Sequence, residues 1–137
     1  MKMELHCWFY VSRSLIEPAM LDEETAAIVS VSRLRNEQLD VTGALVLAQG
    51  RFSQFIEGPL SVIERLRTSI ERDPRHHQVT TLKFEPVDRR SFTGWALAYA
   101  GPASFIARKI DISLLDAVGK GEPARETLMR LLQELRS

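Results

Sequence analysis

The chain has 137 residues, 45% hydrophobic and 26% charged, enough for one domain with a substantial core. Lys plus Arg balance Asp plus Glu at 18 each, so no strong field favours a nucleic-acid backbone or an anionic membrane as partner. The longest apolar runs are short and Met1-Lys2-Met3-Glu4-Leu5-His6 lacks the sustained apolar stretch of a secretory signal, so a cytoplasmic location is expected. Cys7 is the only cysteine, which excludes an internal disulfide and a multi-cysteine metal site and leaves it the role of a small buried hydrophobe.

Residues 5–12 read as a strand with Leu5, Cys7, Phe9 and Val11 on one face and His6, Trp8, Tyr10 and Ser12 on the other. Large apolar groups on both faces require cover on both. From Leu21 the spacing becomes helical, with Ala27, Ile28, Val31 and Leu34 as the expected buried stripe and Asp22, Glu23 and Glu24 well placed in the first turn. Asn36 falls near the end of that helix, where a left-handed terminal Asn is common.

Residues 41–48 and 51–57 are two apolar runs joined at Gln49-Gly50, a hairpin signal. In the second run, alternation places Gln54 on the same face as Phe52 and Ile56. A buried amide without partners costs about 1–3 kcal/mol, so donors and acceptors must meet Gln54 there, from the chain or from a bound polar molecule.

Pro59 opens a second predicted helix whose stripe is Val62, Ile63, Leu66 and Ile70, and Asp73-Pro74 ends it. Residues 79–86 and 95–100 read as two further strands around a turn at 88–94. The order β-α-β-β-α-β-β defines an α+β, ferredoxin-like class: a five-stranded mixed sheet with two helices on one face. Beyond Gly101-Pro102, a short helix at 110–118 and a longer one at 123–135, striped by Leu128, Leu131, Leu132 and Leu135, are expected to cover the other face.

Five segments then form one constellation. They are Tyr10 in Phe-Tyr-Val-Ser, Asn36 followed by Val41-Thr42-Gly43, Gln54 in Gly-Arg-Phe-Ser-Gln-Phe-Ile-Glu-Gly-Pro, Asp73-Pro74-Arg75-His76-His77, and Arg90-Ser91-Phe92-Thr93-Gly94-Trp95. Together they closely resemble a BLUF domain, the blue-light sensor that uses flavin, over roughly the first hundred residues. The resemblance divides the chain into a flavin-binding domain at 1–100 and a helical extension at 101–137 packed on it. It implies FAD, with FMN as the alternative, held between the two inner helices.

By the same resemblance, Asn36 holds the C4 carbonyl and N3 edge of the ring, and Gln54 bridges Tyr10 to the N5 and O4 side; both amides donate and accept. Light moves an electron and a proton from Tyr10 to the flavin, and Gln54 rotates or tautomerises. Ile28 and Ser32 line the ring, while Asp73, Arg75 and His76 lie towards the ribityl and C2-carbonyl side. Trp95 and Leu97 relay the signal to a partner or to the interface of a homo-oligomer. The protein is thereby not an enzyme, and the chain leaves no room for an attached output domain.

Read singly, each residue has an ordinary explanation: Tyr10 as a core tyrosine, Asn36 as a helix terminus, Gln54 satisfied by sheet backbone, Trp95 as a packing aromatic, and residues 75–77 as a solvated turn. A metal site is not expected, because adjacent histidines point apart and no convergent third ligand stands near them beyond His6. Three departures from the family pattern stand out: Leu97 where many relatives carry methionine, Arg35 where relatives often have a smaller polar residue, and Ser69 where some place a basic side chain. Leu97 supports the alternative of an interaction module on the same fold, without flavin or without a light response. A small ferredoxin-like acyl phosphate hydrolase lacks its phosphate-cradling Gly-rich loop here.

Overall fold

The computed structural model describes residues 4–136. In chain order the elements are β1 (Leu5–Ser14), α1 (Leu21–Leu39), β2 (Thr42–Ala48), β3 (Arg51–Pro59), α2 (Leu60–Glu71), β4 (His76–Val87), β5 (Ala98–Ala100), α3 (Phe105–Lys109), α4 (Ile112–Ala117) and α5 (Glu122–Gln133). The five strands form one mixed sheet in the order β4-β1-β3-β2-β5, antiparallel except for the parallel pair of β2 and β5. The expected α+β ferredoxin-like class is what the chain adopts.

Alternation along the strands sorts the core into two layers. On one face, Trp8, Tyr10 and Ile56 pack with Ile63 and Leu66 of α2, and Leu45, Leu47, Phe52 and Leu97 pack with Val29 of α1. On the other, Cys7, Phe9, Val11, Val46 and Phe55 pack with Ile110, Leu115, Val118, Leu128 and Leu132 of the C-terminal segment. Burying a Leu of this kind stabilises by roughly 1.5–3 kcal/mol, so the C-terminal helices gain their place by covering a face that the strand pattern leaves apolar. Cys7 sits within this layer, where burial pushes its thiol up to about 11.

The β2-β3 hairpin turns at Gln49 and Gly50, with φ of 54° and 72°. Positive φ at both central residues matches the right-handed twist of the paired strands, which is why a glycine stands there. Gly43 has a different reason: a Cβ added to it would lie 2.1 Å from the Phe55 carbonyl oxygen, so β2 approaches β3 closely only without a side chain at this position.

Several local expectations are corrected. The α1 stripe is displaced: Val31 and Leu34 are 66% and 59% exposed and Ala27 is exposed, whereas Thr25, Val29, Ser32 and Asn36 face inward. Of these polar groups Ser32 lines the cleft described below and Asn36 bonds the Ala96 carbonyl, whereas hydropathy spacing follows apolar residues alone. Asn36 lies inside the helix, and Asp40, in the left-handed region, closes it. Pro59 ends β3 and caps α2 at its N-terminus.

β4 starts at His76, ahead of the expected 79, so the Arg75-His76-His77 turn is in fact a strand entrance, and His76 is buried. β5 spans only Ala98–Ala100; Trp95, Ala96 and Leu97 run alongside the sheet outside it. The helix expected at 110–118 is α4, and a further short helix, α3, precedes it; each is capped by a side chain, with Ser104 Oγ accepting from the Ala107 amide before α3 and Asp111 from the Leu114 amide before α4.

Candidate functional site

Tyr10 and Gln54 are directly opposed in the β1-β3 ladder, and Leu45 opposes Gln54 from β2. Both side chains point to the helix-covered face, where the Tyr10 hydroxyl donates to Gln54 Oε1. The amide that looked misplaced on an apolar face therefore has a phenol as partner. Burial pushes the Tyr10 phenol above its ordinary range; the Arg35 charge opposes that rise and Asp73 adds to it. Trp8 stacks on Tyr10 with ring centroids 4.3 Å apart and is pinned by its indole N–H to Thr81 Oγ1 at 3.0 Å.

One cleft gathers these groups. Tyr10, Gln54, Leu45 and Phe52 form its floor; Ile28, Ser32 and Arg35 come from α1, and Ile70, Asp73, Arg75 and His76 from the end of α2 and the entrance of β4. A larger, open depression lies around Glu4, Leu60, Glu64 and Arg65, away from Tyr10 and Gln54. Three-residue spacing of Ser32 and Arg35 on one helix, and the short chain between Ile70 and His76, bring the two walls together.

At the rim, Asp73 Oδ1 accepts from the Arg75 backbone amide and from Arg75 Nε, both at 2.9 Å. This paired arrangement holds the Asp73 carboxyl below the usual carboxylate range and raises Arg75. His76 has both ring nitrogens engaged by the chain: Nε2 donates to the Ile70 carbonyl at 2.6 Å, and Nδ1 meets Ser12 Oγ at 2.6 Å. A carbonyl only accepts, so in the neutral ring Nδ1 accepts from the Ser12 hydroxyl. His76 thus ties β1 to the end of α2.

Asn36, fully buried, turns its amide to the far side of α1, where Nδ2 donates to the Ala96 carbonyl at 2.8 Å. Arg33 Nε donates to the Leu97 carbonyl at 2.9 Å, and the Gly43 amide to the Trp95 carbonyl at 3.0 Å. Leu97 is buried against Val29, Leu45, Leu47 and Phe52, while Trp95 is 41% exposed. Of the expected site residues, seven therefore line the cleft, and Asn36, Trp95 and Leu97 form a group behind it.

Two site features lie outside the expected site residues, although Arg35 stands among the departures from the family pattern. Arg35 lines the cleft, and its Nε is buried without a hydrogen-bond partner. Glu57 is fully buried on β3, where it accepts from the Ser91 and Phe92 amides at 2.7 Å each and from Thr42 Oγ1 at 2.8 Å. The signal for Glu57 was present: a carboxylate inside an alternating apolar strand needs buried donors.

A five-stranded ferredoxin-like sheet with a phenol-amide pair beneath two helices defines a domain built to hold a planar polar ligand. The chain belongs to the BLUF family, sensors of blue-light using FAD, whose pattern it matches over residues 5–98. It is 35% identical over 92 residues to photoactivated adenylate cyclase subunit beta of Euglena longa, 66% of this chain and 10% of that protein. It is 36% identical over 76 residues to the blue light- and temperature-regulated antirepressor BluF of Escherichia coli K12, 56% of this chain and 18% of that protein. The chain thus spans only a small fraction of these curated relatives. Among solved structures, BlrB, a BLUF protein in its dark state, superposes with a TM-score of 0.81 at 30% identity, covering 98% of each chain. Among the described residues no helix is long and apolar enough to cross a membrane, and no cluster of three potential metal-ligating His, Cys, Asp or Glu residues occurs.

The residues present fit the family's cofactor. The donors Arg35, Arg75 and Ser32, the Gln54 amide and the apolar faces of Ile28, Phe52 and Leu45 suit a flat ring with carbonyl and nitrogen edges. The buried, unpartnered Arg35 Nε is a donor still to be matched by an acceptor.

Proposed function

We propose that the chain is a blue-light photoreceptor that binds flavin without a covalent bond and signals through hydrogen-bond rearrangement at Tyr10 and Gln54. The carrying observation is the direct Tyr10 to Gln54 hydrogen bond in the buried cleft. Flavin, when bound, supplies the blue-light absorption and an electron acceptor for Tyr10. Loss of an electron makes a phenol strongly acidic, and Gln54 Oε1 stands ready to take its proton. Ring burial makes ionisation without a partner costly, so proton and electron leave Tyr10 together. Gln54 then presents its amide differently to the cleft. FAD is the proposed ligand, held from α1 by Ile28 and Ser32 and at the rim by Asp73, Arg75 and His76, with Asn36 behind the cleft linking α1 to Ala96.

Transmission runs through α1. Asn36 reaches from that helix to Ala96, so a changed hydrogen bond at the ring edge shifts the segment carrying Trp95 and Leu97. This route needs no thioether at position 97. The readout is a partner protein or a homo-oligomer interface, with no chemistry of this chain's own, in the cytoplasm.

The absorption spectrum of the purified protein tests the reading. Bound oxidised flavin whose bands move slightly to longer wavelength in blue light, and return in the dark, is expected. Gln54→Leu should keep the flavin and lose the shift. Failure of the wild-type chain to take up any flavin refutes the reading, and a normal photocycle in Gln54→Leu refutes the role given to that residue. An interaction module without light response is the second reading, favoured by the exposed Trp95, Val31 and Leu34.

A further inference from the structure

We infer that Arg35 is an electrostatic positioning residue that binds the flavin ring and favours its negatively charged, reduced form; this rests on the flavin reading above. Three charged side chains line the cleft: Arg35, Asp73 and Arg75. Asp73 and Arg75 satisfy one another at the rim, through both the backbone and the guanidinium. That pair is close to neutral as a unit. Arg35 forms no ion pair among the described residues, and its one polar contact is a long one, from Nη2 to Asn36 Oδ1 at 3.5 Å.

A guanidinium has five donors and no acceptor, and burying one without a carboxylate is costly. Burial pulls the Arg35 guanidinium below its ordinary range, and Tyr10 opposes that fall. The cost is retained at one specific place, against the phenol-amide pair, where a ligand acceptor would recover it. Arg35 lines the cleft, and its Nε is buried without a hydrogen-bond partner. A phosphate brings a strong charge and hydration with it and suits an open rim, so a half-buried guanidinium in the wall of the cleft fits a carbonyl or ring nitrogen. A fixed cation beside the ring acts as preorganised electrostatics, worth most for the form that carries negative charge.

The test is a comparison of wild type, Arg35→Met and Arg35→Lys, each loaded with riboflavin, FMN or FAD. Methionine keeps an unbranched stem of similar bulk, and thermal melting of each variant checks that the fold persists. Affinity for oxidised flavin and the two-electron midpoint potential are measured by titration. Arg35→Met should bind all three flavins more weakly by a similar factor. It should bind the reduced flavin at least tenfold more weakly still, which makes the potential more negative by about 30 mV. Arg35→Lys should restore most of the potential, because it restores the charge, without restoring the full affinity for oxidised flavin.

An unchanged potential in Arg35→Met overturns the inference while the photoreceptor reading stands. Loss confined to FMN and FAD assigns Arg35 to the phosphate and equally overturns it. If wild type binds none of the three, both the reading and the inference fall.

Discussion

Replacing Glu57 should unfasten the loop that carries Phe92 and leads to Trp95. In Glu57→Ala, the Ser91 and Phe92 amides and the Thr42 hydroxyl lose their acceptor at once. Phe92 is fully buried and no water can replace the carboxylate, so its amide alone costs about 2–3 kcal/mol. Ser91 and Thr42 are only half-buried and recover water, adding about 1 kcal/mol between them. Removing a buried carboxylate also relieves its desolvation, which offsets about 1 kcal/mol.

The net loss is then about 2–3 kcal/mol, and at about 4 °C per kcal/mol for a chain of this size the melting temperature should fall by about 8–12 °C. Glu57→Gln keeps the volume and one acceptor but turns an NH2 towards a donor, so it should lose about half as much. Circular dichroism melting measures both, and hydrogen exchange at the Phe92 amide reports the local effect. A Glu57→Ala melt within about 4 °C of wild type, the shift expected from about 1 kcal/mol, with unchanged Phe92 exchange, would refute the argument.

Gly43→Ala should destabilise by more than 3 kcal/mol and disturb β2-β3 pairing, because its Cβ would overlap the Phe55 carbonyl oxygen; urea unfolding measures the loss, and a change under 1 kcal/mol would show that the strands part easily. Cys7 predicts an alkaline limb of stability. Its thiol ordinarily ionises near 9 and is held to about 11 by burial, so the unfolded chain releases its proton first. The contribution of the neutral thiol is complete below pH 9 and is lost as pH rises towards 11; urea midpoints across that range should fall more steeply in wild type than in Cys7→Ala. In the native protein at pH 8, Cys7 should resist thiol reagents until the chain unfolds, and rapid labelling would contradict its burial.

Strand alternation and turn chemistry carried most of the fold. Residues 5–12, 41–48 and 51–57 are short apolar runs buried on both faces, which marks strands covered on both sides, and position parity then sorts their side chains between the two faces. α1 shows where hydropathy stops informing. Its inner face is Thr25, Ser32 and Asn36 beside Val29, while Val31 and Leu34 look outward, because a helix bordering a polar cleft is selected for hydrogen bonding there. The Tyr10 and Gln54 pairing was legible because a buried amide demands a partner and the topology places β1 beside β3. Arg35 was not, since a charged residue in a helix is ordinarily solvated and only tertiary packing shows its Nε buried, whereas Glu57 could have been found as a carboxylate inside an apolar strand.

The segment 95–97 presents three consecutive carbonyls, and each is fastened to a different residue: Gly43, Asn36 and Arg33. Freeing one carbonyl leaves two holding, and two of the anchors ride on the same rigid helix, so the segment follows α1 and a displacement of that helix carries it along. The exposed Trp95 ring is consequently placed by its backbone rather than by its own packing.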